Sequence, residues 1–195
     1  FAYMGPGNPP PLPAFDCFEA PDAFTFAFKG FVDCNWLQLN EVGIDPAHAS
    51  FLHRFFDDEP EEEGYGQQFR FSTEENEMAI TKVLREYDCP EIDIEQTETG
   101  IRLYALRQMN EEEMHVRITN QIFPNAIIIP ISNEIMLTQW RVPIDDTTSW
   151  WYAIFSCFTE PLDKERMRND RLELYTLPDY RPRKNKSNDY GFDAE

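Results

Sequence analysis

The chain holds three histidines, and two of them stand five positions apart in the run Asp45-Pro46-Ala47-His48-Ala49-Ser50-Phe51-Leu52-His53. Asp45 places a carboxylate three residues before the first. Imidazole nitrogen suits ferrous iron, and two His with one carboxylate leave coordination positions open for oxygen. Asn35-Trp36-Leu37-Gln38 and Glu41-Val42-Gly43-Ile44 lead into the run, and Arg54-Phe55-Phe56 follows it. Hydrolytic zinc chemistry fits less well. A zinc-protease helix would read His-Glu-x-x-His, and Ser50 and Leu52 stand where its base would be sought. The third histidine, His115, lies among charged residues and reads as a surface or half-buried imidazole rather than a ligand.

Spacing constrains the backbone around the pair. Residues five apart on a regular helix differ by about 140° in direction, at about 100° per residue. Both rings cannot then face one metal squarely. The spacing predicts a π-type bulge, a tightened end or a helix break between His48 and His53.

Around this segment the elements read as follows. Residues 24–33 place Phe24, Phe26 and Phe28 on one face with a period of two, predicting a strand. Residues 35–53 carry apolar side chains at helical spacing, interrupted near Gly43 and Pro46. Two helical pieces are expected, one to about Val42 and one from about Pro46, with Asp45 as N-cap and proline at the first position. Residues 57–63 hold six carboxylates and read as a solvated loop. Strands are then expected over 67–73, 79–87, 92–98, 100–108, 113–123, 126–132, 135–142 and 150–158, with Gly100, Pro124-Asn125 and Ser132-Asn133 supplying turns. The short connections make the sheet antiparallel. Residues 161–175 read as a helix that Thr159 could cap. This order predicts an α+β domain, a curved antiparallel β-sheet with helices wrapped around a long helix. A cavity between sheet and helix would suit a small apolar ligand. Phe123, Ile129, Met136 and Trp140 are candidates to line it, although strand register decides which of two faces each side chain takes.

Composition narrows the function classes. The 195 residues are 42% apolar and include 16 Phe, 8 Tyr and 4 Trp, enough for one well-packed domain. A net charge of -19 argues against nucleic acid and against anionic membrane surfaces. No apolar run approaches the roughly 20 residues of a membrane span. Cys17, Cys34, Cys89 and Cys157 are widely separated, so no zinc ribbon or iron–sulfur motif is present in this stretch. Free thiols in a reducing, cytoplasmic setting are expected. The chain opens at Phe1 rather than Met, runs through prolines at 6, 9, 10, 11 and 13, and closes at Glu195 without a final helix. It reads as a segment of a longer polypeptide.

Glu41-x3-Asp45-x2-His48-x4-His53, preceded by Asn35-Trp36, resembles the iron-binding segment of Rieske non-haem iron aromatic-ring-hydroxylating oxygenases. It is most similar to the catalytic domain of the alpha subunit in the phthalate-dioxygenase-like branch. Ala2-Tyr3-Met4-Gly5-Pro6 resembles the junction after the family's Rieske domain, and the stretch from Asp179 to Tyr190 resembles one that precedes its last catalytic helix. The resemblance implies a helix-grip, START-like domain whose C-terminal helix is missing here. Residues 1–23 would be a linker after an absent Rieske domain, and 24–195 a partial catalytic domain.

By the same resemblance, His48 and His53 match the imidazoles that hold Fe(II). Asp45 matches the carboxylate that bridges a ligating His to a Rieske-cluster His of a neighbouring subunit, and Glu41 a polar position beside the iron. The third ligand would be a carboxylate beyond Glu195; Asp189, Asp193 and Glu195 come too early to match it. The implied reaction takes electrons from NAD(P)H, through a reductase or ferredoxin and a [2Fe-2S] cluster, to hydroxylate or oxidatively demethylate a small aromatic substrate with O2. A homotrimer or hexamer is implied, and the isolated segment is expected to be inactive. The competing expectation, from another class, is a non-catalytic helix-grip module that binds a small ligand.

Overall fold

The computed structural model describes residues 2–53 and 80–192. The predicted acidic loop at 57–63 and the predicted strand at 67–73 lie outside the described residues. The chain forms α1 (Asp16–Glu19), β1 (Thr25–Val32), α2 (Trp36–Ile44), α3 (Ala49–Leu52), α4 (Ile80–Glu86), β2 (Glu91–Thr97), β3 (Gly100–Gln108), β4 (Met114–Ile122), β5 (Ala126–Pro130), β6 (Ile135–Pro143), β7 (Ser149–Cys157) and α5 (Lys164–Leu174). Short 3-10 turns cover Asp22–Phe24 and Lys186–Gly191.

Among the described residues the strands form one seven-stranded sheet in the order β1-β7-β6-β5-β4-β3-β2, with every neighbouring pair antiparallel. Tight turns join β2 through β7 in sequence, as the short connections require. β1 adds to the far side by pairing with β7, Phe28 opposite Ala153. The expected α+β class with an antiparallel sheet is therefore observed.

Register sorts the side chains onto two faces. One face carries Phe26, Phe28, Phe155, Ala153, Leu137 and Ile135. Met167 of α5 and Leu162 pack against it. Fully burying a side chain of this size stabilises the fold by roughly 1.5–3 kcal/mol, so this layer fixes α5 on the sheet. Farther along the same face, Gly43 of α2 comes down on Ile127 and Arg141, where a Cβ would meet Ile127 Cδ1 at 2.9 Å. The opposite face carries Trp140, Ala126, Ile128 and Ile154, covered by Phe15 and Cys17. Phe15 meets Trp140 edge-on at 5.3 Å, so the N-terminal stretch contributes to this second core. β2 ends the sheet with Glu91-Ile92-Asp93-Ile94-Glu95, exposed on both sides.

Three sequence expectations are corrected. Of residues 79–87, expected as a strand, Ile80–Glu86 form helix α4. Ile80, Val83, Leu84 and Tyr87 follow i, i+3, i+4, i+7 spacing, and Val83 and Leu84 are buried. The β-branched residues of this stretch masked a helical period. Helix α5 is capped by Asp163, whose carboxylate accepts from Arg166 N at 3.0 Å, not by Thr159. Phe24 leaves the strand for the preceding 3-10 turn.

Candidate metal centre

Asn35 starts the segment that positions the two histidines. Its side chain accepts from Leu37 N at 2.8 Å and donates to Asp146 O at 2.9 Å, capping α2 and tying it to the β6–β7 turn. α2 ends at Ile44, and its buried Asn40 donates to Pro124 O at 3.4 Å. Asp45 then redirects the chain. Its carboxylate accepts from Ala47 N at 2.8 Å and His48 N at 3.3 Å, with Pro46 buried between. The N-cap expected at Asp45 for the second helical piece, with Pro46 as the first helical residue, falls instead at His48, because the chain bends through Pro46 and Ala47 before the helix begins.

That piece is a single turn. His48 is its N-cap and already has helical dihedrals (φ -57°, ψ -31°), while His53 is its C-cap at φ -119°, ψ 4°. The helix thus stops before the second histidine, which resolves the angular conflict of a five-residue spacing. The two imidazoles meet with ring centroids 5.2 Å apart and planes at 74°. With metal–nitrogen bonds of about 2.1 Å, each ring centre sits about 3 Å from a shared ion, so two such rings lie about 5 Å apart. The observed centroid separation matches that distance.

Ring orientation follows from the neighbours. His48 Nδ1 lies 2.5 Å from the backbone carbonyl of Asp45. A protonated Nδ1 donates there and leaves Nε2 as the coordinating atom, the usual way a ligating His is held. The Asp45 carboxylate is 3.9 Å from the same nitrogen, beyond hydrogen-bond reach. Asp45 therefore acts on this ring through its carbonyl. His53 keeps an exposed edge. Desolvation first, then the charges of His48 and Arg117, hold its imidazole below the ordinary 6.5, which favours the neutral form that binds metals. Glu41 is exposed on α2, and its backbone carbonyl accepts from Asp45 N at 3.3 Å. Among the described residues, no group of three or more His, Cys, Asp and Glu is assembled.

Beneath the pair, the sheet supplies residues that sequence reasoning passed over. Ser50, between the two histidines, is fully buried and lies 3.3 Å from Arg107 Nη2. Arg107 shares its sheet face with Leu103 and Ala105, and its cross-strand partner is His115. Arg117, one pair along, sits on the same face. The alternation of β3 could have flagged Arg107, an arginine in phase with two apolar inward positions. His115 is half-buried, as expected. Of the four proposed lining residues, Ile129 alone shares this face, paired with Leu137. Trp140 packs under Phe15, Met136 pairs in phase with Trp140, and Phe123 is 81% exposed. A cleft of about 340 Å³ lined by Tyr87, Asp88, Cys89 and Gln108 includes neither His48 nor His53.

Comparison with known proteins places this geometry in context. A family model described as "LigXa C-terminal domain like" matches residues 2–195. The oxygenase subunit of phthalate 4,5-dioxygenase from Pseudomonas putida is 30% identical over 205 aligned positions, taking in 100% of this chain and 44% of the relative. The oxygenase subunit of tert-butanol monooxygenase / tert-amyl alcohol desaturase from Aquincola tertiaricarbonis is 28% identical, covering 85% of this chain and 35% of its own length. The oxygenase subunit of 5,5'-dehydrodivanillate O-demethylase from a Sphingobium strain is 26% identical with the same coverages, 85% and 35%. The chain thus spans less than half the length of these relatives. A solved oxygenase–ferredoxin complex of carbazole 1,9a-dioxygenase overlaps 86% of this chain and 46% of its own, at 16% identity and a TM-score of 0.44.

Proposed function

The chain belongs to the family of LigXa C-terminal-like domains, and on that premise we propose that it is the mononuclear-iron part of the catalytic domain of a Rieske-type oxygenase. The observation that carries the reading is the facing pair His48 and His53 at either end of one helical turn. Three relatives whose names describe oxygenase subunits support it. The ligands are His48 Nε2 and His53, and the third would be a carboxylate from sequence beyond Glu195. Bound there, ferrous iron would supply oxygen activation.

The chain's own residues prepare that site. The Asp45 carbonyl fixes the His48 tautomer, and the Asp45 carboxylate holds the turn on which His48 sits. Depressed basicity keeps His53 unprotonated near neutral pH. The Asp45 side chain is 45% exposed, so one carboxylate edge can accept a hydrogen bond from a cluster-bound imidazole of a neighbouring subunit. Electrons would reach that cluster from NAD(P)H through a reductase or ferredoxin, in a trimeric or hexameric cytoplasmic enzyme. Hydroxylation or oxidative demethylation of a small aromatic compound is the reaction.

Metal analysis of the intact polypeptide, purified without oxygen, tests this. Iron outside any iron–sulfur cluster should bind the parent protein and be lost from His48→Ala and His53→Ala, while circular dichroism stays unchanged. Iron content unaffected by either change would defeat the assignment. A parent protein that binds no such iron but takes up small apolar ligands would instead be a helix-grip binding module.

A further inference from the structure

Helix α2 meets the sheet through its smallest residue. Trp36, Asn40 and Gly43 share one face of the helix, at i, i+4 and i+7. Asn40 on that face is 2% exposed, whereas Leu37 and Val42 are 50% and 45% exposed. How closely a helix can approach its neighbour is set by the side chains at the contact, and at Gly43 there is none. Glycine is also the poorest helix former after proline. Its place inside α2 weakens the helix locally, and the close approach accounts for it.

The floor beneath Gly43 has little room to yield. A Cβ at position 43 would stand 2.9 Å from Ile127 Cδ1 and 3.1 Å from Arg141 Nη2. Ile127 is 0% exposed and Arg141 5%. Asn125 clamps the backbone of Arg141: its carbonyl accepts from Arg141 N at 3.0 Å, and its Nδ2 donates to Arg141 O at 2.7 Å. The Arg141 guanidinium carbon lies 5.3 Å from the ring centre of Trp151. A close-packed interior of this kind transmits a displacement rather than absorbing it.

This contact stands next to the histidine turn. α2 ends one residue later, at Ile44. The Asp45 carboxylate then holds Ala47 N and His48 N at 2.8 Å and 3.3 Å, so a shift in the last turn of α2 is passed on to His48. The turn that leads to His53 is seated separately by Ser50, which is fully buried and 3.3 Å from Arg107 Nη2. Lifting α2 would pull on His48 while Ser50 holds its own end of the segment in place.

We propose that Gly43 is a positioning residue for the metal centre: its missing side chain lets α2 settle onto Ile127 and Arg141, and that height sets His48 against His53. This rests on the oxygenase reading and adds to it a residue that offers no ligand atom.

The test uses the intact polypeptide, purified without oxygen. Ferrous iron is titrated against a competing chelator, and the nitric oxide adduct of the iron-loaded protein is recorded by electron paramagnetic resonance. Gly43→Ala should weaken iron binding at least about tenfold, as loss of support to a metal ligand does. At saturating iron it should also alter the symmetry of the adduct signal, which a purely structural role would leave as in the parent. Alanine is the better helix former, so the helix itself is not what suffers. Ile127→Val deletes the Cδ1 atom that the new methyl would strike, and combined with Gly43→Ala it should restore both readouts. An affinity or a signal unchanged in Gly43→Ala overturns the proposal, as does a double variant that stays impaired. If Gly43→Ala does not fold, the double variant decides: parental readouts support the proposal, and altered ones or a second failure to fold overturn it. A parent protein without such iron overturns the oxygenase reading and this inference together, whereas parental behaviour in Gly43→Ala overturns this inference alone.

Discussion

His48 Nδ1 contacts the carbonyl of Asp45, not its carboxylate, although both belong to the same residue. The two polar ends of Asp45 thus have separate tasks. The backbone oxygen sets the ring, and the side chain sets the turn.

That separation predicts the behaviour of Asp45 variants. Asp45→Ala removes the acceptor for Ala47 N and His48 N, and should lower stability by about 1 kcal/mol, within the range of helix-cap deletions. Asp45→Asn retains an acceptor and should recover most of that loss. Both should still bind iron, because the carbonyl remains. Denaturant midpoints and metal analysis of the intact protein check the two parts. Loss of iron in Asp45→Asn would show that the carboxylate is needed by the metal site itself.

Acid should weaken the fold through His115. Burial, then Arg107 and Arg117, hold its imidazole below the ordinary 6.5. The unfolded chain therefore takes up a proton at higher pH than the folded one. Stability contributed by neutral His115 is complete above about 6.5 and declines as pH falls toward the folded value. His115→Gln should flatten that part of the profile. Urea melts between about pH 5 and about pH 8 measure it; identical profiles for parent and variant would show that other groups carry the acid response.

Gly30 of β1 leaves room for Tyr175. A Cβ at position 30 would stand 2.7 Å from the ring, too close for any real contact. Gly30→Ala should destabilise by about 1–3 kcal/mol, the usual penalty of overpacking. In a Tyr175→Leu background the same change should cost less, since contacting residues couple. A double-mutant cycle in urea reads the difference directly.

Met167 anchors α5 with 3% exposure among Phe26, Leu137 and Phe155. Met167→Ala should cost about 2–5 kcal/mol, and Met167→Leu less than about 1.5 kcal/mol. Equal losses would mean that shape rather than volume governs this contact.

Much of this architecture was legible from short-range pattern. Strands 100–108, 135–142 and 150–158 are apolar runs bounded by turn residues, and their observed bounds differ from the expected ones by a residue or less. The interruption at Asp45-Pro46 and the end of the helix before His53 followed from proline position and helical angle, while the N-cap itself fell three residues later, at His48. Helix α4 was not legible as such, because Ile80 and Val83 carry strand propensity while their spacing carries a helix. Face assignment for Met136, Trp140 and Ile129 needed register, which one sequence leaves two-valued. The arginines were hard to read for a different reason. Charged residues in a strand default to solvent; the phase of Leu103 and Ala105 hints at Arg107, and the pairing of β3 with β4 places Arg117 and His115 on that same face.

Among the described residues, strand β2 closes the sheet with Glu91, Asp93 and Glu95 alternating with Ile92 and Ile94. A terminal strand is a template on which a second molecule could hydrogen-bond. Here any two copies meeting along it would oppose carboxylate to carboxylate. The greasy side chains of the border are thereby kept from seeding fibrils, and the sheet stays finite at that margin by mutual repulsion.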